Sequence, residues 1–176
     1  MQQNTTLPIE ITDAIRSQFL ATLEMLKHAV EKCPEALWLK PIGDAKYWHI
    51  AYHALFYLHL YLADNEGAFV AWHKHRPDYN FLGPKPYPPH DVPVIGEAYT
   101  KTDVLEYVQF CKEAASRKVH EGNLMDESGF SWLPFSRFEM HIYSIRHLQQ
   151  HVGELMAILG QAGINVDWVG TKSDKI

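Results

Sequence analysis

Two pairs of histidines stand at helical spacing in this chain: His147 and His151 within RHLQQHVGEL, and His49 and His53 within WHIAYHALFY. On an α-helix, residues i and i+4 lie about 40° apart around the axis and roughly 6 Å apart along it, so two such imidazoles can converge on one point. A neutral imidazole offers one donor and one acceptor nitrogen, and a metal ion takes the acceptor directly. Zinc-like sites need at least three protein ligands, so one pair is insufficient and a second helix must contribute. Three neutral imidazoles would leave a coordination position open, as in catalytic rather than structural sites. A divalent ion there would lower the pKa of a water or a thiol, which points to hydrolysis or to addition of a low-molecular-weight thiol to an electrophile.

The same residues also admit a reading without metal. Ser144, Leu148, His151, Leu155 and Ile158 follow a four-three-four-three spacing, and Ile50, His53, Tyr57 and Leu60 a three-four-three spacing, so both are apolar seams facing other helices. Interior histidines hydrogen-bonded to Tyr57, Tyr143 or Ser144 would satisfy such seams equally. Spacing alone leaves open which of His49 and His53 points across to His147 and His151.

The elements that must position these residues read as helices. Ile11, Ile15, Phe19, Leu23, Leu26 and Val30 form one stripe over about residues 9–31. After KCPEALWLKPIG, Asp44 offers an N-cap oxygen to a second helix over about 45–64, apolar or aromatic nearly all round and therefore central. Residues 65–100 contain six prolines and three glycines, which forbid a long helix and predict a long ordered loop with at most a short helix at its start. Thr102 or Asp103 is expected to cap a third helix through Val119, and a fourth helix is expected over 134–159, closed by Gly160 and Gly163. Fold class is thus all-α: a four-helix bundle in one domain over 1–176, with a long loop between helices 2 and 3 and a frayed tail at 171–176.

Composition narrows the function classes. With 176 residues, 47% of them hydrophobic, the chain is long enough to bury a core. A net charge of −5 with no Lys/Arg block supplies no footprint for nucleic acid or an anionic membrane. The two cysteines, Cys33 and Cys111, are isolated, and no apolar run reaches the ~18 residues needed to span a bilayer, so a cytoplasmic location is expected. Trp72, Tyr79, Phe81 and Tyr87 enrich the long loop in aromatic surface, which predicts self-association as a homodimer. No Glu is followed three residues later by His, and His-Glu-x-x-His is absent, which excludes ferritin-like and common zinc-protease arrangements. His73, His75 and His90 are expected in solvent on the loop, and His28, His59, His120 and His141 as surface or hydrogen-bonded residues.

YWHIAYHALFYLHLYL (47–62) together with HLQQHVGELMAIL (147–159) resembles the DinB-like, or YfiT-like, superfamily of metal-dependent helical bundles. In that family the second helix supplies one ligand histidine, and the fourth supplies His-x-x-x-His followed by Gly, a polar residue and Leu. The resemblance implies His53, His147 and His151 as metal ligands, with His49 fitting the second-helix position less well. Val152 stands where the family often has arginine. The implied cofactor is a divalent transition metal, zinc or nickel first and iron after them, and the implied activity is hydrolysis or thiol S-transfer on a small-molecule substrate. Tyr57, Gln150 and Glu154 lie one turn from the histidines and are candidates to orient them. A helical bundle that binds a ligand or partner without catalysis is the alternative.

Overall fold

The computed structural model describes residues 9–171, and helix dominates it. The elements in chain order are α1 (Ile9–Lys32), α2 (Glu35–Trp38), β1 (Pro41–Ile42), β2 (Ala45–Lys46), α3 (Tyr47–Tyr61), α4 (Lys101–Lys118) and α5 (Arg137–Gln161). A single 3₁₀ turn, Glu66–Ala68, opens the long loop, where the sequence allowed a short helix. Among the described residues no helix is long and apolar enough to cross a membrane.

Helix α1 buries Ile15, Phe19, Leu23, Leu26 and Val30 as its stripe requires, and widens it with Leu20, Met25 and Ala29 because two neighbours cover it. Those neighbours are α4 and α5, and α3 packs against the same two, so α1 and α3 meet far less than either meets α4 or α5. Helix α3 buries twelve of its fifteen residues. A helix apolar all round must be covered all round, and the long loop supplies what α4 and α5 leave open.

Helix ends differ from the sequence reading for identifiable reasons. Asp44 does not cap α3: Gly43, at φ +56°, and Asp44 form the two-residue turn of a hairpin pairing Pro41 with Lys46 and Ile42 with Ala45. A positive φ at the first central position is what such hairpin turns demand and glycine provides. Helix α3 consequently begins at Tyr47, with no side-chain cap on Lys46, and ends at Tyr61. The cap of α4 is Thr100, whose Oγ1 accepts from the Asp103 N–H at 3.1 Å while the Asp103 carboxylate accepts from the Thr100 N–H at 3.1 Å. Asp103 is thus the third residue of a capping box and not the cap. Pro134 lies outside α5, which Ser136 caps by accepting from the Glu139 N–H at 3.3 Å. At the other end Gly163, at φ +76°, donates to the Gly160 carbonyl and Ile164 donates to that of Leu159, the Schellman pattern. Residues 164–169 then return against the core through Ile164, Val166 and Val169. The expected fraying at 171–176 falls almost wholly outside the described residues.

The long loop packs inward. Trp72, Tyr79 and Tyr99 are buried, Trp72 stacks on Tyr107 of α4 at 4.5 Å, and the Trp38 indole N–H donates to the Tyr99 carbonyl at 2.9 Å. His75, expected in solvent, is half-buried with Nδ1 2.7 Å from the Tyr52 hydroxyl. Two of the four aromatics behind the dimer expectation therefore serve this chain's own core, leaving half-buried Phe81 and exposed Tyr87.

Candidate metal centre

His53 projects from the middle of α3, and His147 and His151 from the middle of α5, where these two helices pack together. The Nε2 atoms of His53 and His147 lie 3.3 Å apart, and one ligand nitrogen from each of the three rings falls within 4.8 Å of the others. Ring centroids are 5.2 Å apart for His53 and His147, 4.7 Å for His53 and His151, and 4.8 Å for His147 and His151. Among the described residues this is the one cluster of three or more His, Cys, Asp or Glu side chains with metal-binding spacing.

The second nitrogen of two of these rings is held. His53 Nδ1 lies 2.6 Å from the backbone carbonyl of Asn80. A carbonyl only accepts, so Nδ1 carries the hydrogen and Nε2 presents its lone pair toward His147. His151 Nδ1 lies 3.1 Å from Glu154 Oε2, and a carboxylate fixes that ring in the same tautomer. Two nitrogens bound at about 2.0–2.1 Å to a tetrahedral ion stand roughly 3.3 Å apart. The His53–His147 separation already matches it, and the all-nitrogen donor set suits a borderline transition metal rather than magnesium or calcium. A triple-histidine group of this kind can hold a metal ion.

Electrostatics keep two of the rings neutral. Burial pushes the His53 imidazole down to about 3, with the neighbouring His151 adding to the effect, and pushes His147 down to about 4, helped by His151 and by the Arg146 guanidinium. His151 is buried, whereas His53 and His147 keep partial exposure.

Of the residues expected to orient the ligands, Glu154 does so directly. Tyr57 packs its ring 4.8 Å from His53 and 5.5 Å from His147, and its hydroxyl accepts from Asn80 Nδ2 at 3.4 Å. Gln150 is exposed and, among the described residues, makes no hydrogen bond to the imidazoles. Asn80 was not legible as a participant, because it acts on His53 through its backbone and any residue type could do so.

His49 turns elsewhere: its Nε2 lies 2.8 Å from the Tyr79 carbonyl and its ring stacks on Trp48. The structure brings His53, and not His49, to the α5 pair. Of the single histidines, His59 meets the Tyr107 hydroxyl at 3.1 Å, His28 pairs with Glu24 and His120 with Asp13. His141 departs from expectation, being fully buried with neither ring nitrogen hydrogen-bonded among the described residues. Its edge contact with Phe19 of α1 shows why: α1 and α5 meet there through apolar surface.

No family model, curated protein or solved structure matches this chain.

Proposed function

We propose that this chain is a metal-dependent enzyme of the DinB-like kind, a four-helix bundle built from α1, α3, α4 and α5, whose His53, His147 and His151 hold one divalent transition metal, zinc or nickel before iron. The observation that supports the reading is that lone-pair nitrogens from two helices converge while an Asn80 carbonyl and a Glu154 carboxylate hold the opposite nitrogens of His53 and His151. In the metal-free chain the His147 Nε2–H can donate to the His53 Nε2 lone pair at 3.3 Å, and a bound metal ion would take the place of that hydrogen.

When bound, such an ion supplies Lewis acidity, which favours ionisation of a water or a thiol at neutral pH. The chain's own contribution is positional: three rings brought together by the fold, two of them, His53 and His147, kept neutral by burial and partly exposed. Hydrolysis and thiol S-transfer both follow from that arrangement, and the proposed substrate is a small molecule, with a low-molecular-weight thiol as co-substrate in the second case. The proposed setting is the cytoplasm.

The test is elemental analysis of the purified protein after dialysis, followed by paired screens of ester hydrolysis and of thiol consumption with model electrophiles. About one equivalent of a transition metal and metal-dependent turnover in either screen is the expected result. Less than a tenth of an equivalent, with no tight uptake on reconstitution, favours the non-catalytic ligand-binding bundle. A homodimer is proposed on the exposed loop residues Tyr87, Val92 and Val94; light scattering that shows only a 20.3 kDa species removes it.

A further inference from the structure

A cavity of about 270 Å³ lies between the start of α3 and the folded-back part of the long loop. Its walls are Phe81, Leu82, Val92, Pro93 and Ile95, all apolar, and two polar side chains reach it, His49 and Asp44. His49 is 3% exposed. Its Nε2 donates to the Tyr79 carbonyl at 2.8 Å, so the hydrogen sits on Nε2 and Nδ1 is an acceptor. That Nδ1 has no hydrogen-bond partner among the described residues. Burial favours the neutral ring, and Lys46 nearby opposes its protonation further, although Lys46 does not line the cavity. Asp44 is exposed at the hairpin turn and forms no ion pair with any described residue.

Both polar groups on this cavity are therefore acceptors, one on a neutral ring and one anionic at the exposed turn, and no cation lines it. An acceptor with no donor from the protein is open to one from a ligand, and apolar walls with a few placed polar groups are the usual build of a small-molecule site. The geometry points to a binding site for a small, single-ring or short-chain apolar molecule that carries hydrogen-bond donors, a primary amine foremost, donating to the Asp44 carboxylate, with His49 Nδ1 as the acceptor for a neutral donor. An anionic ligand is disfavoured because nothing on the lining compensates its charge.

The site adjoins the histidine cluster along residues 79–81: Tyr79 contacts His49, Asn80 contacts His53, and Phe81 lines the cavity. It does not depend on the metal reading, since neither Asp44 nor His49 belongs to the converging trio.

Calorimetric titration of the full chain at pH 7.5 with 2-phenylethylamine, 2-phenylethanol and 3-phenylpropionate tests it. The expected order is amine tightest, alcohol about tenfold weaker, and carboxylate weakest or undetectable. Asp44→Asn should erase the amine's advantage while leaving the alcohol unchanged, and Ile95→Trp, which fills the cavity, should abolish binding of both. Should Ile95→Trp lose its helical circular dichroism, Asp44→Asn, at an exposed turn, decides alone. Binding of the carboxylate as tightly as the amine, no binding of any probe, or undiminished amine binding in Asp44→Asn overturns the proposal. Metal content, recorded on the same samples, is expected to be unaffected by either substitution, so this result and that for the metal centre are read separately.

Discussion

His53 Nε2 and His147 Nε2 lie 3.3 Å apart across the α3–α5 interface, although 94 positions separate them in the chain. Each ring reaches this point from a helix that buries its own flanking residues in the core, so the pair is fixed by packing and not by mobile side chains. Several consequences can be measured.

The first concerns register on α3. His53→Ala and His147→Ala should each abolish tight metal binding after dialysis, because a three-ligand set loses a third of its donors. His49→Ala should retain the metal, as His49 Nε2 is engaged with the Tyr79 carbonyl. Elemental analysis showing the reverse for His49 and His53 would mean that α3 is rotated by one turn of ligands relative to α5.

Glu154 should matter through His151. Its carboxylate holds Nδ1 at 3.1 Å, and loss of such an orienting partner typically weakens metal affinity by about 10–100-fold. Because Glu154 is itself exposed, Glu154→Ala should sit near the lower end of that range in a competition with a chromophoric chelator. Gln150→Ala, in contrast, should leave affinity unchanged; equal losses in both would remove the orienting role of Glu154.

Proton release distinguishes this buried cluster from three free imidazoles. The sequence alone suggests that imidazoles near pH ~6.5 compete with metal for up to three protons, so that affinity collapses by pH 5. Burial alters the expectation by lowering His53 to about 3 and His147 to about 4. Both are then already neutral in the metal-free fold from pH 7.5 down to 5.5, and metal uptake at pH 5.5, where a metal-bound water keeps its proton, should draw no proton from either ring. Calorimetry in buffers of different ionisation enthalpy gives the count, and two or more protons would contradict the neutral state of these rings.

The metal-free protein should lose stability on mild acidification. His53, His59, His141 and His147 are lowered in the fold to about 3, 4, 4 and 4, with burial the leading cause in each. In the unfolded chain they return to about 6.5. Below that value the unfolded state binds protons that the folded state refuses, so stability is full above pH 6.5 and falls as pH drops toward 4, by up to about 1.4 kcal/mol per pH unit for each ring. Urea midpoints measured with chelator between pH 7.5 and 4.5 should show this, and His141→Leu, which removes a ring with no hydrogen bond to lose, should flatten the slope. An unchanged slope in that variant would refute the assignment of His141.

Gly129 fixes the approach of the 125–136 connector to the end of α3. It sits at φ +85°, and a Cβ there would lie 2.1 Å from the Asp64 carbonyl oxygen. Gly129→Ala must therefore move backbone as well as adopt a left-handed conformation, at a combined cost of at least about 2 kcal/mol. For a domain of this size that is a fall of about 4–8 °C in the thermal midpoint; a shift below 1 °C would mean that the two segments separate freely.

Much of this molecule follows from local pattern. Periodicity at three and four residues marks α1, α3, α4 and α5 within a few positions, because a helix needs only contacts between near neighbours and one continuous apolar face. The same arithmetic joins His147 to His151 on one side of α5. It stops at boundaries such as Asp44, where Gly43 makes a hairpin turn of what reads as a cap, and at Thr100, where either of two nearby residues also suits a cap. It stops more fundamentally at α3. A helix apolar around nearly its whole circumference has no polar face to orient it, so the choice between His49 and His53 is absent from its sequence and is made by how Trp48, Ile50 and Leu55 pack against their surroundings. The carbonyls of Tyr79 and Asn80 are equally silent, since every residue carries one. Only the path of the long loop, drawn inward by Trp72, Tyr79 and Tyr99, brings those two oxygens to the two imidazoles and thereby decides which nitrogen of each remains free.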